Sequence, residues 1–265
     1  MRFDAYGASF KDHDPTHICH VIASAVQGFE TKFKPVRRFA VTRGIECSSG
    51  TAAWVGIDPS SGLVYMEAKG ETTPKVAQAI RAHFPDHSAP RLDVCEDYNE
   101  PGAFGSLQGL VRAHKGIRTK AGYVALPDDA KDGKTWSAGT RGGVGYVRIY
   151  EAGKHPERIY LNKPDWVRAE GEFRPHYAKD KAAAARMTPL ECWGLSSWTH
   201  SVGEALTQTE IPRLLAETRQ YSYDKTTRYI ATTFRRHLEE MLANGEDISR
   251  TFQGVWQEED SYRKR

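Results

Sequence analysis

Cysteine is sparse and scattered in this sequence: only Cys19, Cys47, Cys95 and Cys192 occur, far apart and without a Cys-x-x-Cys pair. A chain of 265 residues can bury a full core and needs no disulfide staples. The thiols therefore read as reduced core residues, and Cys19 with His17 and His20 has no second ligand cluster with which to build a zinc site. Long apolar runs are missing too. No stretch of ~18 consecutive apolar residues exists, so a membrane-spanning helix is not expected. The opening MRFDAYGASF lacks the basic-then-apolar order of a signal peptide, and a cytoplasmic protein with no membrane partner is expected. Neither sign of charge dominates: Lys and Arg number 37 against 34 Asp and Glu, a net charge of +3. That balance permits a polyanionic partner without demanding one.

What is present argues for a packed globule. Apolar residues make up 39% and aromatics 11%, enough to offset chain entropy. The hydrophobic period switches repeatedly between two and 3.6, the mark of a mixed α/β or α+β domain. Phe3 to Phe10 alternates like a strand, and Asp14-Pro15-Thr16 opens a helix to about Gln27, because Asp can cap and Pro suits the first turn. Strands are expected at 52–58 and 62–68, then a helix from Thr73-Pro74, a strand over Arg91–Tyr98 and a helix over Ala103–His114. The order strand, helix, strand thus occurs twice in the first half. Further strands are expected at Lys134–Gly139, 144–151 and 165–174. Beyond Tyr177 helical patterns take over, at 178–187, 188–206, 210–221 and 224–243. The expected organisation is a β-rich body over 1–187 and a helical region over 188–265.

Three strands carry more charge than ordinary core strands, and the charges keep a period of two. Arg91, Asp93, Cys95 and Asp97 share one face of their strand, against Leu92 and Val94. Tyr146, Arg148 and Tyr150 oppose Val147 and Ile149, while Arg168, Glu170, Glu172 and Arg174 oppose Val167, Ala169 and Phe173. A sheet half open to water is the ordinary explanation of such a pattern. The residue choice points elsewhere, since acidic residues are interleaved with arginines and tyrosines and not with Thr, Ser and Lys. Converging carboxylates suit a hard divalent cation, and neighbouring arginines suit phosphate oxygens. Ion pairing with Arg91, Arg168 or Arg174 on the same face would leave the same pattern.

Four segments together resemble the replication initiation factors of small plasmids and filamentous phages, a family that includes relaxases of conjugative elements. They are Arg91-Leu92-Asp93-Val94-Cys95-Glu96-Asp97, Lys134-Thr135-Trp136-Ser137-Ala138-Gly139-Thr140-Arg141, Val147-Arg148-Ile149-Tyr150-Glu151-Ala152-Gly153-Lys154 and Trp166-Val167-Arg168-Ala169-Glu170-Gly171-Glu172-Phe173-Arg174. Their order looks like the family's aspartate strand, glycine hairpin, R-I-Y strand and arginine–glutamate strand. The third departs from the pattern, because Glu151 is followed by Ala152-Gly153 and a lysine comes only at Lys154. The sequence also lacks the His-hydrophobe-His metal motif of the other large initiator superfamily, so carboxylates would have to carry the metal.

The resemblance implies an α+β fold of antiparallel sheet with helices on one face, a duplicated β-α-β arrangement and a helical C-terminal part. It implies a rolling-circle replication initiator of a phage or plasmid, which nicks one DNA strand at an origin through a covalent 5′-phosphotyrosine and later rejoins it. A conjugative relaxase and a non-catalytic DNA-binding regulator are the alternatives. Mg2+ or Mn2+ would be the cofactor, held by Asp93 and Glu170 with Asp97 and Glu172. Tyr150 is the first candidate for nucleophile and Tyr177 the second, with Arg148 and Arg168 assisting. Lys131, Lys134, Arg141 and Arg174 are candidates for tracking a phosphate backbone. The implied partners are origin duplex and its extruded single strand; a homodimer and a host replicative helicase are the protein partners such a role admits.

Overall fold

In the computed structural model, residues 1–114, 121–125, 133–156, 158, 161–213 and 232–247 are described. The strand order follows from the period-two segments. β1 (Arg2–Phe10), β2 (Phe29–Lys32), β3 (Val41–Cys47), β4 (Gly50–Ile57) and β5 (Val64–Lys69) are followed by β6 (Ser88–Asn99). Then come β7 (Ala121–Ala125), β8 (Thr135–Gly139), β9 (Gly145–Tyr150) and β10 (Trp166–Phe173). They form one ten-stranded sheet in the order β2-β3-β4-β5-β1-β6-β10-β9-β8-β7, and every neighbouring pair is antiparallel.

The helices are α1 (Pro15–Val26), α2 (Thr73–His83), α3 (Ala103–His114), α4 (Ala178–Ala184) and α5 (Ser197–Thr207). They cover one face of this sheet, burying Tyr6, Phe10, Leu92, Val94, Val147, Ile149 and Phe173 against Ile18, Ile22, Ile80, Val111 and Trp193. At ~1.5–3 kcal/mol per buried large side chain, this apolar layer is the main favourable term of the fold. The N-terminus of α1 forms as expected, with the Asp14 carboxylate accepting from the Thr16 amide at 2.9 Å. The expected helix over 188–206 is broken. A short 3-10 segment, Glu191–Leu195, follows a reciprocal Thr188–Glu191 cap, and Ser196 then caps α5 anew through the Thr199 amide.

The topology is a duplication. β1, α1, a four-strand meander β2 to β5 and α2 are matched by β6, α3, the meander β7 to β10 and α4. In each half the last meander strand returns beside the first strand, and the halves join through β1 and β6. The repeated unit is therefore larger than the β-α-β expected. Residues Met1–Ala216 form the first compact unit and Glu217–Arg265 the second. The boundary expected after residue 187 thus falls inside the first unit, because α5 packs with α3 and β9. Within the second unit, α6 (Arg235–Ala243) carries two exposed i,i+4 pairs, Arg235–Glu239 and Arg236–Glu240; the expected helix over 210–221 lies mostly outside the described residues. No helix among the described residues is long and apolar enough to cross a membrane.

Candidate active site on the polar face of the sheet

The second face of the sheet gathers the charged positions of the central strands. Register places Glu172 opposite Asp93, Glu170 opposite Cys95 and Arg168 opposite Asp97, while across β10 Tyr150, Arg148 and Tyr146 lie opposite Arg168, Glu170 and Glu172. Glu67 and Lys69 of β5 extend the same face beyond β1. Far from being washed by water, Asp93, Arg168 and Glu170 are each only 3% exposed. Ionised groups are buried this deeply only when matched.

The matching is by arginine. Arg91 holds Asp93 through two bonds of 3.0 and 2.6 Å and lies 3.5 Å from Glu67 and 3.6 Å from Glu172. Glu172 is also held by Arg174 at 2.5 Å and Glu67 by Lys69 at 2.7 Å. Arg168 donates to Asp97 at 2.6 and 3.0 Å and to Asp4 at 2.8 Å. Burial pushes Asp93 and Glu170 above the usual carboxylate range, with Arg91 and Arg148 opposing that rise. Burial acts upward on Asp97 as well, but bonds from Arg168 and Trp166 outweigh it and hold this carboxyl low.

Metal-type ligands do not converge here. Among the described residues no group of three or more His, Cys, Asp or Glu side chains could hold a metal ion. Asp93, Glu170 and Asp97 instead belong to separate arginine pairs, with Glu172 shared between Arg174 and the fringe of Arg91. The oxygen donors suit a hard cation by chemistry, but each of these carboxylates is engaged by a guanidinium. The arrangement does not fit the implied Mg2+ or Mn2+.

The tyrosines differ sharply. Tyr177 caps the start of α4, is 46% exposed and makes no side-chain hydrogen bond or ion pair among the described residues. Tyr150 is half-buried beside Glu170, whose Oε2 accepts its hydroxyl at 3.3 Å. Arg148 lies over its ring at 5.2 Å and binds the other oxygen of Glu170 at 2.6 Å. Burial and Glu170 raise the Tyr150 phenol above its ordinary value, with Arg168 acting against them. Tyr150 and Arg148 open onto a cavity of about 320 Å³, completed by Thr135, His155 and Arg158. Among the described residues no carboxylate lines it. The Arg158 guanidinium rests on Trp166 at 5.2 Å from the ring centre.

The candidate phosphate-tracking residues do not form one patch. Arg174 is paired with Glu172 and lines a larger cleft on the first half of the sheet. The Lys134 backbone amide binds Glu151, near Lys154. Arg141 is exposed in the β8–β9 turn, and Lys131 lies outside the described residues. Sequence reasoning missed Thr135, His155 and Arg158 as pocket residues. It also missed Asp4 and Glu67 as members of the network, although Tyr65-Met66-Glu67-Ala68-Lys69 shows the same period-two polar pattern.

No protein-family model matches the chain, and no curated protein matches it significantly. Among solved structures, one match is described as the rolling circle replication initiator protein from Geobacillus stearothermophilus. It is 13% identical, the alignment covers 82% of this chain and 88% of that chain, and the TM-score is 0.48.

Proposed function

We propose that the protein nicks and rejoins DNA as a replication initiator, with Tyr150 as its nucleophile. The observation that carries this reading is the cavity over Tyr150: it has ample room for a phosphate, its lining among the described residues includes two arginines and no carboxylate, and it has a phenol on its wall. Guanidinium groups recognise phosphate oxygens by paired N–H donors. Arg148 and Arg158 would hold the non-bridging oxygens of a DNA phosphate there. The four-segment resemblance to replication initiation factors adds the class of reaction.

Chemistry follows from the Tyr150–Glu170 contact. A phenol is a weak nucleophile until its proton is taken, and Glu170, raised above the usual carboxylate range by burial, is a better base than a surface glutamate. The Tyr150 oxygen attacks phosphorus, its proton passes to Glu170, the P–O3′ bond breaks, and the 3′ oxygen takes a proton from water in the open cavity. The product is a 5′-phosphotyrosine and a free 3′-hydroxyl. Rejoining reverses each step, with Glu170 returning the proton to the tyrosine oxygen. Arg148 binds Glu170 and faces the cavity, so it orients the base and also meets the developing charge on the phosphate.

The test is conversion of a supercoiled plasmid bearing the protein's own origin to the nicked form. Wild type should nick it and Tyr150→Phe should not. A wild-type protein that binds this DNA and leaves it supercoiled would be a binding protein only.

A further inference from the structure

The duplicated fold offers a second cleft where the first half of the sheet repeats the second. β4 is the counterpart of β9, and the pairings correspond: Trp54 of β4 lies opposite Glu67 of β5, as Arg148 of β9 lies opposite Glu170 of β10. Over Trp54 opens a cleft of about 840 Å³, within the size range of sites for small molecules. The connection between β2 and β3 folds over the polar face to form its wall. Its close approach requires Gly56, where a Cβ would meet Phe39, Thr42 and Trp54.

Two kinds of side chain dominate this cleft. Phe39, Trp54 and Tyr65 form an aromatic cluster with ring centres 5.3 to 5.6 Å apart, in which Phe39 is buried and stacked on Tyr65 at an interplanar angle of 14° while the half-buried Trp54 is tilted to both. Around the rings stand six basic side chains and one acidic one, Glu67. Glu67 is already bound by Lys69 and by the Tyr65 hydroxyl at 3.1 Å. Arg37, at the exposed tip of the β2–β3 connection, and Lys181, reaching in from α4, have no acidic partner among the described residues. The Tyr65 hydroxyl donates to Glu67 and its ring is stacked with Phe39, so this tyrosine is a support for the cluster and not a nucleophile.

We infer that this cleft seats an unpaired base of single-stranded DNA on Trp54, which Phe39 and Tyr65 back, with Arg37 and Lys181 on its flanking phosphates. Aromatic rings interleaved with cations are how proteins hold unpaired bases irrespective of sequence. A duplex keeps its bases stacked inside and cannot offer them to a platform within a cleft. A free nucleotide shares the base-plus-phosphate chemistry but carries its phosphates on one side of the sugar, whereas the two unpaired cations come from separate elements. The inference rests on the reading of the polar face as a DNA surface and is independent of which residue cuts.

The test is binding of a fluorescent oligothymidylate to the full chain, followed by anisotropy over a range of salt concentrations. Loss of one base–aromatic stack weakens such binding roughly 5- to 150-fold, so Trp54→Ala should lose affinity by about that factor and Trp54→Phe should recover most of it. Arg37→Ala, on an exposed turn and harmless to the fold, should reduce the salt slope by about 0.7. Equal affinity of Trp54→Ala and wild type overturns the inference. So does an unchanged salt slope in Arg37→Ala, which decides the matter if the Trp54 variants misfold. Thymidine monophosphate that binds as tightly as the oligomer overturns the assignment to a strand. Oligomer binding that depends on Trp54 in a protein that forms no tyrosine adduct sinks the role of Tyr150 and leaves this site standing; adduct formation with binding indifferent to Trp54 does the reverse.

Discussion

Replacing Arg91 by alanine probes the charge network on the polar face at its most dependent point. The guanidinium makes two bonds to Asp93 and reaches Glu67 and Glu172. After its removal Glu67 keeps Lys69 and Glu172 keeps Arg174, but the Asp93 side chain, 5% exposed, keeps no cation within contact among the described residues. Removing one partner of a buried pair costs ~3–5 kcal/mol. At ~2–4 °C per kcal/mol for a domain of this size, the thermal midpoint should fall by roughly 6–20 °C. The loss should also depend on pH. Burial already raises the Asp93 carboxyl, and Arg91 opposes that rise, so without Arg91 the folded-state pKa moves further up. A raised carboxyl destabilises the fold at neutral pH, and the penalty disappears as pH falls through that pKa. Denaturant unfolding of wild type, Arg91→Ala, Asp93→Asn and the double variant at neutral and mildly acidic pH measures both effects. The double variant should regain much of the loss, because the buried charge is gone. A cost below ~1 kcal/mol that does not change with pH would show a solvated surface pair and refute the reasoning.

Three other outcomes follow from the same geometry. Nicking should fall as acid protonates Glu170, with a midpoint above the ordinary carboxylate range because burial raises this group; Glu170→Gln should lower the rate and remove that limb from the pH–rate profile. Gly153→Ala should cost ~1–3 kcal/mol by overpacking, since a Cβ there would overlap the Lys163 carbonyl and crowd Trp166, on which Arg158 rests; melting curves and the weakened nicking of this variant check it. Magnesium or manganese should leave the unfolding midpoint of wild type unchanged, because arginines occupy the carboxylates; a midpoint that rises with metal concentration, as mass action requires of a native-state ligand, would assign the cluster to metal.

The strands were legible wherever one face is apolar and the other charged. Arg91 to Asp97, Tyr146 to Tyr150 and Arg168 to Arg174 share the polar face as their alternation requires, and α3 spans the residues expected of it. β2 and β3 were not legible. Phe29–Lys32 is short and mostly exposed, and Val41–Cys47 is interrupted by Arg43 and Gly44, so neither shows a clean period of two. The break at Ser196 escaped the helical pattern because a capping serine inside an apolar-periodic run looks like any polar position. Within the site, the period identified the face but not the partners. Carboxylates aligned for a cation and carboxylates aligned for arginines have one sequence pattern, and only register separates them. His155 and Arg158 lie between strands in an irregular segment, where no periodicity points to the cavity over Tyr150.

As the proposed nucleophile, Tyr150 should form a covalent bond to DNA. Incubation with a single-stranded oligonucleotide carrying the nick site, followed by proteolysis and mass mapping, locates any adduct on the chain. A nucleotide-bearing peptide that contains Tyr150, absent from Tyr150→Phe while that variant melts as wild type does, is the predicted result. An adduct on Tyr177 or any other residue, or one that persists in Tyr150→Phe, contradicts it.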